Sequence, residues 1–254
     1  MQPDRWSVPR EELRLGPELG HGFFGCVQRA EWRVGRQVAV KTLRHRQNEK
    51  EIDFEKEKRI FIKETRVMKT LNHPNLVKML GVCTEKSPFF LVQELCQNGD
   101  LKKHLKSFDF IKNFHVGSYL KDKPSREKLN NERVPKLSQL LGWCLDIIKG
   151  MSYLESLQLV HRDLACRNVL LDAALRAKVA DFGLTMKTSA VESSAHPAMA
   201  VLWSAPEAVG ESTTIYVYSS WYVPLNILLN KQFTDKIHST NVSPCREEGV
   251  QCKV

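Results

Sequence analysis

Apolar and polar residues alternate along 12–19, 26–32 and 37–43, with glycine-rich turns between them, and this pattern predicts three short strands. Val34-Gly35 joins the second and third as a tight hairpin. Residues 50–71 change period: they are highly charged, with apolar positions at helical spacing. His73-Pro74 ends this helix, because a proline disfavours α geometry in the residue before it. Two more strands follow over 76–83 and 89–95, and Gly99 opens a mainly helical second half whose clearest element is an amphipathic helix over about 137–156. The stretch 108–136 has little periodicity and reads as a loop insertion. No internal repeat is present. The expected architecture is α+β: a five-stranded antiparallel lobe carrying one helix, a short hinge, and a mainly helical lobe.

Charge and cysteine usage narrow the class. The 254 residues carry a formal charge of +9, which raises nucleic acid as a partner. Much of the excess lies in 102–136, where only Asp109, Asp122, Glu127 and Glu132 oppose a run of Lys and Arg. The excess is not organised as an aromatic-studded patch, so it reads as a solvated basic insertion and no nucleic-acid partner is expected. Seven cysteines, scattered without C-x-x-C spacing, fit reduced thiols of a cytoplasmic chain better than a disulfide framework. The opening residues lack the apolar core of a signal peptide. The longest apolar stretch, 215–229, is shorter than the ~20 residues of a spanning helix and contains Pro224, so no membrane span is expected.

Candidate chemistry begins at Gly20-His21-Gly22-Phe23-Phe24-Gly25-Cys26-Val27, a G-x-G-x-x-G-x-V pattern. Three glycines alone make only a turn, and a dinucleotide fingerprint sits between a strand and a helix. This one sits between two strands and is followed by Val38-Ala39-Val40-Lys41. A glycine-rich hairpin can lie over a triphosphate because missing side chains let backbone N–H groups approach the oxygens, and a strand-end lysine supplies a point charge for the α- and β-phosphates. Glu64 shares a helix face with Ile60, Met68 and Leu71. A carboxylate inside an apolar stripe is costly unless a cation meets it, and Lys41 is the natural candidate. Further on stand His161-Arg162-Asp163-Leu164-Ala165-Cys166-Arg167-Asn168, then Asp181-Phe182-Gly183, then Ala205-Pro206-Glu207. Each tripeptide is common; the ordered set is not.

In order and spacing these motifs resemble a protein kinase catalytic domain over residues 6–214, of the tyrosine kinase family. The string HRDLACRN is similar to the HRDLAARN of that family, whereas serine/threonine kinases usually carry a lysine where Ala165 stands. Trp203 before Ser-Ala-Pro-Glu is a second likeness. The segment from Trp6 to Gly16 is similar to the one just inside the membrane in receptor members. The resemblance implies a bilobal kinase-like fold with a flanking segment at 1–12, an N-lobe at 13–95, a C-lobe at 96–214 and a divergent tail at 215–254. It implies ATP and Mg2+ as cofactors, and tyrosine-bearing proteins as substrates in signal transduction. It places the domain in the cytoplasm, as the intracellular part of a membrane receptor if the product is longer. Residue by residue, it implies that Asp163 accepts the substrate hydroxyl proton, with Lys41, Arg167 and Asn168 completing the catalytic set, while Asn168 and Asp181 hold magnesium. Gly20, Gly22, Gly25, Lys41 and Glu64 serve the phosphates. Val27, Ala39 and Leu170 sandwich adenine, the backbones of Glu94 and Cys96 meet its edge, and Gln93 stands behind it. Met68, Leu80, Phe182 and His161 form an apolar spine.

The chain departs from this pattern in three places. No tyrosine lies between Asp181 and Glu207, where Arg162 typically pairs with a phosphorylated residue; Thr185, Thr188, Ser189, Ser193 and Ser194 are the available hydroxyls. The acceptor platform reads Ala200-Val201-Leu202-Trp203. After Thr214 the pattern stops: Val217 stands where a buried aspartate belongs, Pro224 would break the helix, and only Arg246 is left to pair with Glu207. Loss of that helix would expose Leu145 and Ile148 of the long helix. A second reading therefore stays open, a truncated non-catalytic isoform or pseudokinase that binds ATP or protein partners.

Overall fold

The computed structural model describes residues 5–22, 25–43, 51–107 and 135–187. The bulk of the basic insertion, the loop hydroxyls beyond 187, Ala205-Pro206-Glu207 and the 215–254 tail lie outside the described residues.

The first half forms the expected antiparallel sheet from β1 (Leu13–Gly22), β2 (Gly25–Trp32), β3 (Arg36–Leu43), β4 (Met79–Cys83) and β5 (Phe89–Glu94), in the order β1-β2-β3-β5-β4. Between β3 and β4 runs α1 (Glu51–Met68). The β2–β3 hairpin turns through Arg33 and Gly35, both at positive φ, where glycine carries no Cβ penalty. Alternation along β3 sends Val38 and Val40 to an outer cluster with Val8, Ala30, Trp32 and Phe90. Leu43 joins the main core with Phe61, Met68, Met79 and Leu91. Residues ahead of β1 add to this lobe: Val8 N–H donates to Val82 O at 3.0 Å, and Val82 N–H to Trp6 O at 2.8 Å. Arg10 caps the arrangement over the Phe90 ring at 4.3 Å.

The second half contributes α2 (Leu101–Lys106), α3 (Leu137–Ser156) and two small antiparallel sheets, β6 (Leu159–Val160) with β9 (Met186–Lys187) and the hairpin of β7 (Val169–Leu171) with β8 (Ala177–Val179). On α3, Leu140, Trp143, Cys144, Ile147 and Leu154 are buried at helical spacing. The Trp143 indole donates to Leu175 O at 2.8 Å, and Asp146 accepts from Ala177 N at 3.0 Å, so this face of α3 docks on the β7–β8 hairpin. Leu141 and Leu145 on another face are exposed and Ile148 is half-buried. Cys83, Cys96 and Cys144 are buried thiols, and Cys166 is half-buried; burial pushes Cys83, Cys144 and Cys166 up to about 11 and Cys96 to about 12.

Two expectations are corrected. The fourth strand begins at Met79, not at 76, because Asn75 and Val77 bond elsewhere: Val77 N–H donates to Val179 O at 2.9 Å, and Val179 N–H to Asn75 O at 2.8 Å. The connection after α1 is thereby stitched to β8 of the other half. The spine position assigned to Leu80 belongs to Met79. A register irregularity between Met79 and Gly81 puts Met79 opposite Gln93 and into the core beside Met68 and Phe182, while Leu80 packs against the outer cluster.

Gly150 of α3 is where the stitched connection presses closest: a Cβ there would lie 2.8 Å from Asn75 O. Gly142, on the same helix, has no such neighbour within 4 Å. Gly142→Ala should therefore raise stability by about 0.5–1 kcal/mol through helix propensity. Gly150→Ala should lower it by ~1–3 kcal/mol despite the same propensity gain. Urea denaturation of the two variants checks the opposite signs.

Candidate active site

Residues directly opposite each other in an antiparallel pair share a face. Val27 lies opposite Lys41, and Ala39 opposite Gln93. With the two-residue repeat along β3, this puts Val27, Ala39, Lys41 and Gln93 on one face of the sheet. The β1–β2 hairpin extends that face with Gly20 opposite Val27 and Gly22 opposite Gly25; its tip, Phe23-Phe24, lies outside the described residues. Gly25 is obligatory: its φ is +140°, and a Cβ would lie 2.6 Å from Thr42 O.

Beneath this roof Lys41 is 5% exposed and Glu64 fully buried. The ammonium donates to both Glu64 oxygens, at 2.9 and 2.8 Å, and to Asp181 Oδ1 at 3.2 Å. Burial alone would pull the lysine down; the two carboxylates more than offset it and hold Lys41 above its ordinary value. Burial likewise pushes the Asp181 carboxyl up, but Lys41 and the Gly183 N–H win and keep it below the usual carboxylate range. Glu64 is lifted by its complete burial.

The loop after β6 supplies the second group of residues. His161 donates from Nε2 to Ala180 O at 3.0 Å and accepts from Asp163 N at 3.2 Å through Nδ1, and its ring meets Phe182 edge-on at 5.4 Å. Desolvation keeps this buried imidazole neutral by lowering its pKa. Arg162 at φ 69° and Asp181 at φ 63° are non-glycine residues in the left-handed region, a strained geometry that bonded neighbours sustain. Asn168 folds back onto Asp163, its amide nitrogen donating to Asp163 O at 2.7 Å and to Oδ2 at 2.8 Å. Arg167 pairs with Asp163 Oδ1. Partial burial raises the Asp163 carboxyl above its ordinary value, against the pull of Arg167 and Asn168. Ala180 N–H donates to Asn168 O at 2.8 Å, joining this loop to the strand that leads to Asp181.

At the back, the Gln93 amide reaches Met68 Sδ at 3.3 Å. Glu94 accepts from Lys78 N at 2.8 Å and from Lys178 Nζ at 3.0 Å. Cys96 is buried behind the turn to Gly99, and Leu170 on β7 is half-buried, bridged to Asp100. Lys178 was not anticipated from the sequence; its signal was a lone cation inside the apolar run before Asp181. Thr185 is corrected as an available loop hydroxyl, since it is fully buried.

Known proteins resemble this chain in sequence. Residues 13–221 fit the family model described as protein tyrosine and serine/threonine kinase. Cytoplasmic tyrosine-protein kinase BMX of Mus musculus is 39% identical over 204 residues, which is 80% of this chain and 27% of that protein. Tyrosine-protein kinase Abl of Drosophila melanogaster is 35% identical over 211 residues, 82% of this chain and 11% of its own length. Tyrosine-protein kinase Srms of Homo sapiens is 33% identical over 233 residues, 91% of this chain and 41% of its own. The chain thus spans about a quarter of the length of the first of these relatives. Sheet, buried lysine, catalytic loop and family match agree: the chain belongs to the protein tyrosine and serine/threonine kinase family.

Proposed function

We propose that this chain acts as a protein tyrosine kinase domain, transferring the γ-phosphate of Mg-ATP to a tyrosine hydroxyl of a protein substrate. The observation that carries the reading is Lys41, buried between Glu64 and Asp181 under the glycine hairpin, with Asn168 bonded on either side to Asp163 and Ala180. Gly20, Gly22 and Gly25 leave backbone N–H groups bare for phosphate oxygens, and Lys41 adds a fixed charge for the α- and β-phosphates. Val27 and Ala39 above and Leu170 below bracket adenine. The backbones of Glu94 and Cys96 meet its edge, and Gln93 closes the back.

The donor set fits magnesium. Asn168 uses its side-chain nitrogen on Asp163, which leaves the side-chain amide oxygen for a cation, and Asp181 is a carboxylate held ionised. Magnesium takes few protein oxygens and fills its shell with phosphates and water, and when bound it neutralises charge on the transferring group. Asp163, oriented by Asn168 and Arg167, accepts the proton of the acceptor hydroxyl. Ala165 in place of a lysine, the Arg167–Asp163 pair and the tyrosine-protein kinases among the relatives favour tyrosine as acceptor. Among the described residues no helix is long and apolar enough to cross a membrane. We assign the N-lobe to 13–95 and the C-lobe to 96–214, acting in the cytoplasm.

Mg-ATP at about 100 times its dissociation constant should stabilise the chain by about 2.7 kcal/mol in a thermal-shift measurement. Lys41→Met should abolish that shift. Because the methionine strands Glu64, adding Glu64→Gln should restore stability without restoring the shift. A wild-type chain with no shift would sink the reading.

Asp163→Asn should lower kcat by roughly 10²–10⁴-fold on a tyrosine peptide while leaving the Mg-ATP shift intact. Loss of binding together with activity would make Asp163 a structural residue. Since the base works only when deprotonated and burial raises its pKa, kcat/KM should fall on the acid side through a midpoint above the ordinary aspartate value of 3.8. A pH profile flat through that range would contradict the assignment.

A further inference from the structure

Lys103 of α2 is not used in the account above, yet it reaches the roof of the cleft. The position a Cβ would occupy on Gly20 lies 3.9 Å from Lys103 Nζ. Gly20 is opposite Val27, and Val27 is opposite Lys41, so that direction points to the same face as Lys41 from two strands away. The two lysines therefore bound the roof from opposite flanks, Lys41 at the deep end and Lys103 at the mouth.

Lys103 is also held in place. Asp100 caps α2, accepting from Lys103 N at 2.8 Å, and its other oxygen meets Lys103 Nζ at 3.3 Å. The backbone of Asp100 is bridged to Leu170, the floor residue. The lysine side chain remains 75% exposed against 16% for Asp100, so the ammonium keeps donors free for an anion. Lys102 and Lys106 add positive charge along the same short helix, which carries no acidic residue of its own.

We propose that Lys103 is a specificity-determining residue at the mouth of the cleft, attracting and retaining the charged form of the nucleotide, so that the chain favours a nucleoside polyphosphate over the uncharged nucleoside. A second fixed cation on the far flank of the roof raises the local concentration of a polyanion and slows its escape. This inference rests on the nucleotide site proposed above.

The test titrates the full chain with Mg-ATP and with adenosine in four forms: wild type, Lys103→Glu, Lys103→Met and Lys106→Glu. The last makes the same change of net charge on the same helix without the contact to Gly20. Lys103→Glu should weaken Mg-ATP roughly tenfold and Lys103→Met roughly threefold, with Lys106→Glu close to wild type. Adenosine affinity should stay unchanged in every form, and raising the salt should narrow the Mg-ATP differences. Melting temperatures measured without ligand confirm that each variant is folded. Equal losses for Mg-ATP and adenosine would reduce Lys103 to shaping the glycine hairpin and overturn the proposal. Mg-ATP binding in Lys103→Glu indistinguishable from wild type or from Lys106→Glu would overturn it as well. An effect confined to turnover of an acidic acceptor peptide would assign the lysine to the protein substrate instead, against the proposal. Wild-type chain that binds no Mg-ATP would remove the nucleotide reading itself, a result distinct from the others.

Discussion

A buried ammonium that meets one buried and one half-buried carboxylate governs this structure. An ammonium and two carboxylates taken out of water lose several kcal/mol of hydration each, recovered only when they meet at hydrogen-bonding distance. Lys41 comes from β3, Glu64 from the middle of α1, and Asp181 from the segment after β8. Their contact therefore fixes a strand, a helix and a loop relative to one another. With the lysine absent, the buried Glu64 carboxylate is left facing the half-buried Asp181 carboxylate, and α1 has no electrostatic reason to keep Glu64 inward.

The surrounding geometry serves that contact. The face shared by Val27, Ala39, Lys41 and Gln93 follows from strand pairing alone. The loop side is costlier: Arg162 and Asp181 both adopt a left-handed backbone, a cost of order 1–3 kcal/mol for each residue. The buried His161, bonded to Ala180 and to the Asp163 amide, shows what holds it. The strain is met by neutral hydrogen bonds inside the core.

Most of this was legible in the sequence because it is periodic or local. Alternation located β1 to β3 and β5 within a residue or two at most ends, and the apolar stripe around Glu64 told that its carboxylate needs a cation. What the sequence hid was decided by partners far along the chain. Residues 76–78 alternate like a strand, yet Asn75 and Val77 on either side of Leu76 bond to β8, and no local signal says so. The irregularity between Met79 and Gly81 moves the inward position by one residue, to Met79 and away from the Leu80 that the family resemblance implied. Lys178 meets Glu94, and Lys103 approaches Gly20, across sequence separations that composition and spacing do not encode. Thr185 resembled an ordinary loop hydroxyl, and only tertiary packing shows it enclosed.

The shielded thiols have a chemical consequence. Thiolate, not thiol, attacks electrophiles, and Cys83, Cys96, Cys144 and Cys166 are held at about 11 to 12. At neutral pH each is nearly inert while its surroundings stay closed, and each returns toward ordinary reactivity when they open. Cys83 lies under the Trp6–Arg10 segment, which its thiol bonds through Val8 O; Cys96 lies at the hinge; Cys144 lies on α3. The chain thus carries native chemical clocks, whose alkylation rates time the separate opening of its N-terminal strap, its hinge and its helical core without any introduced label.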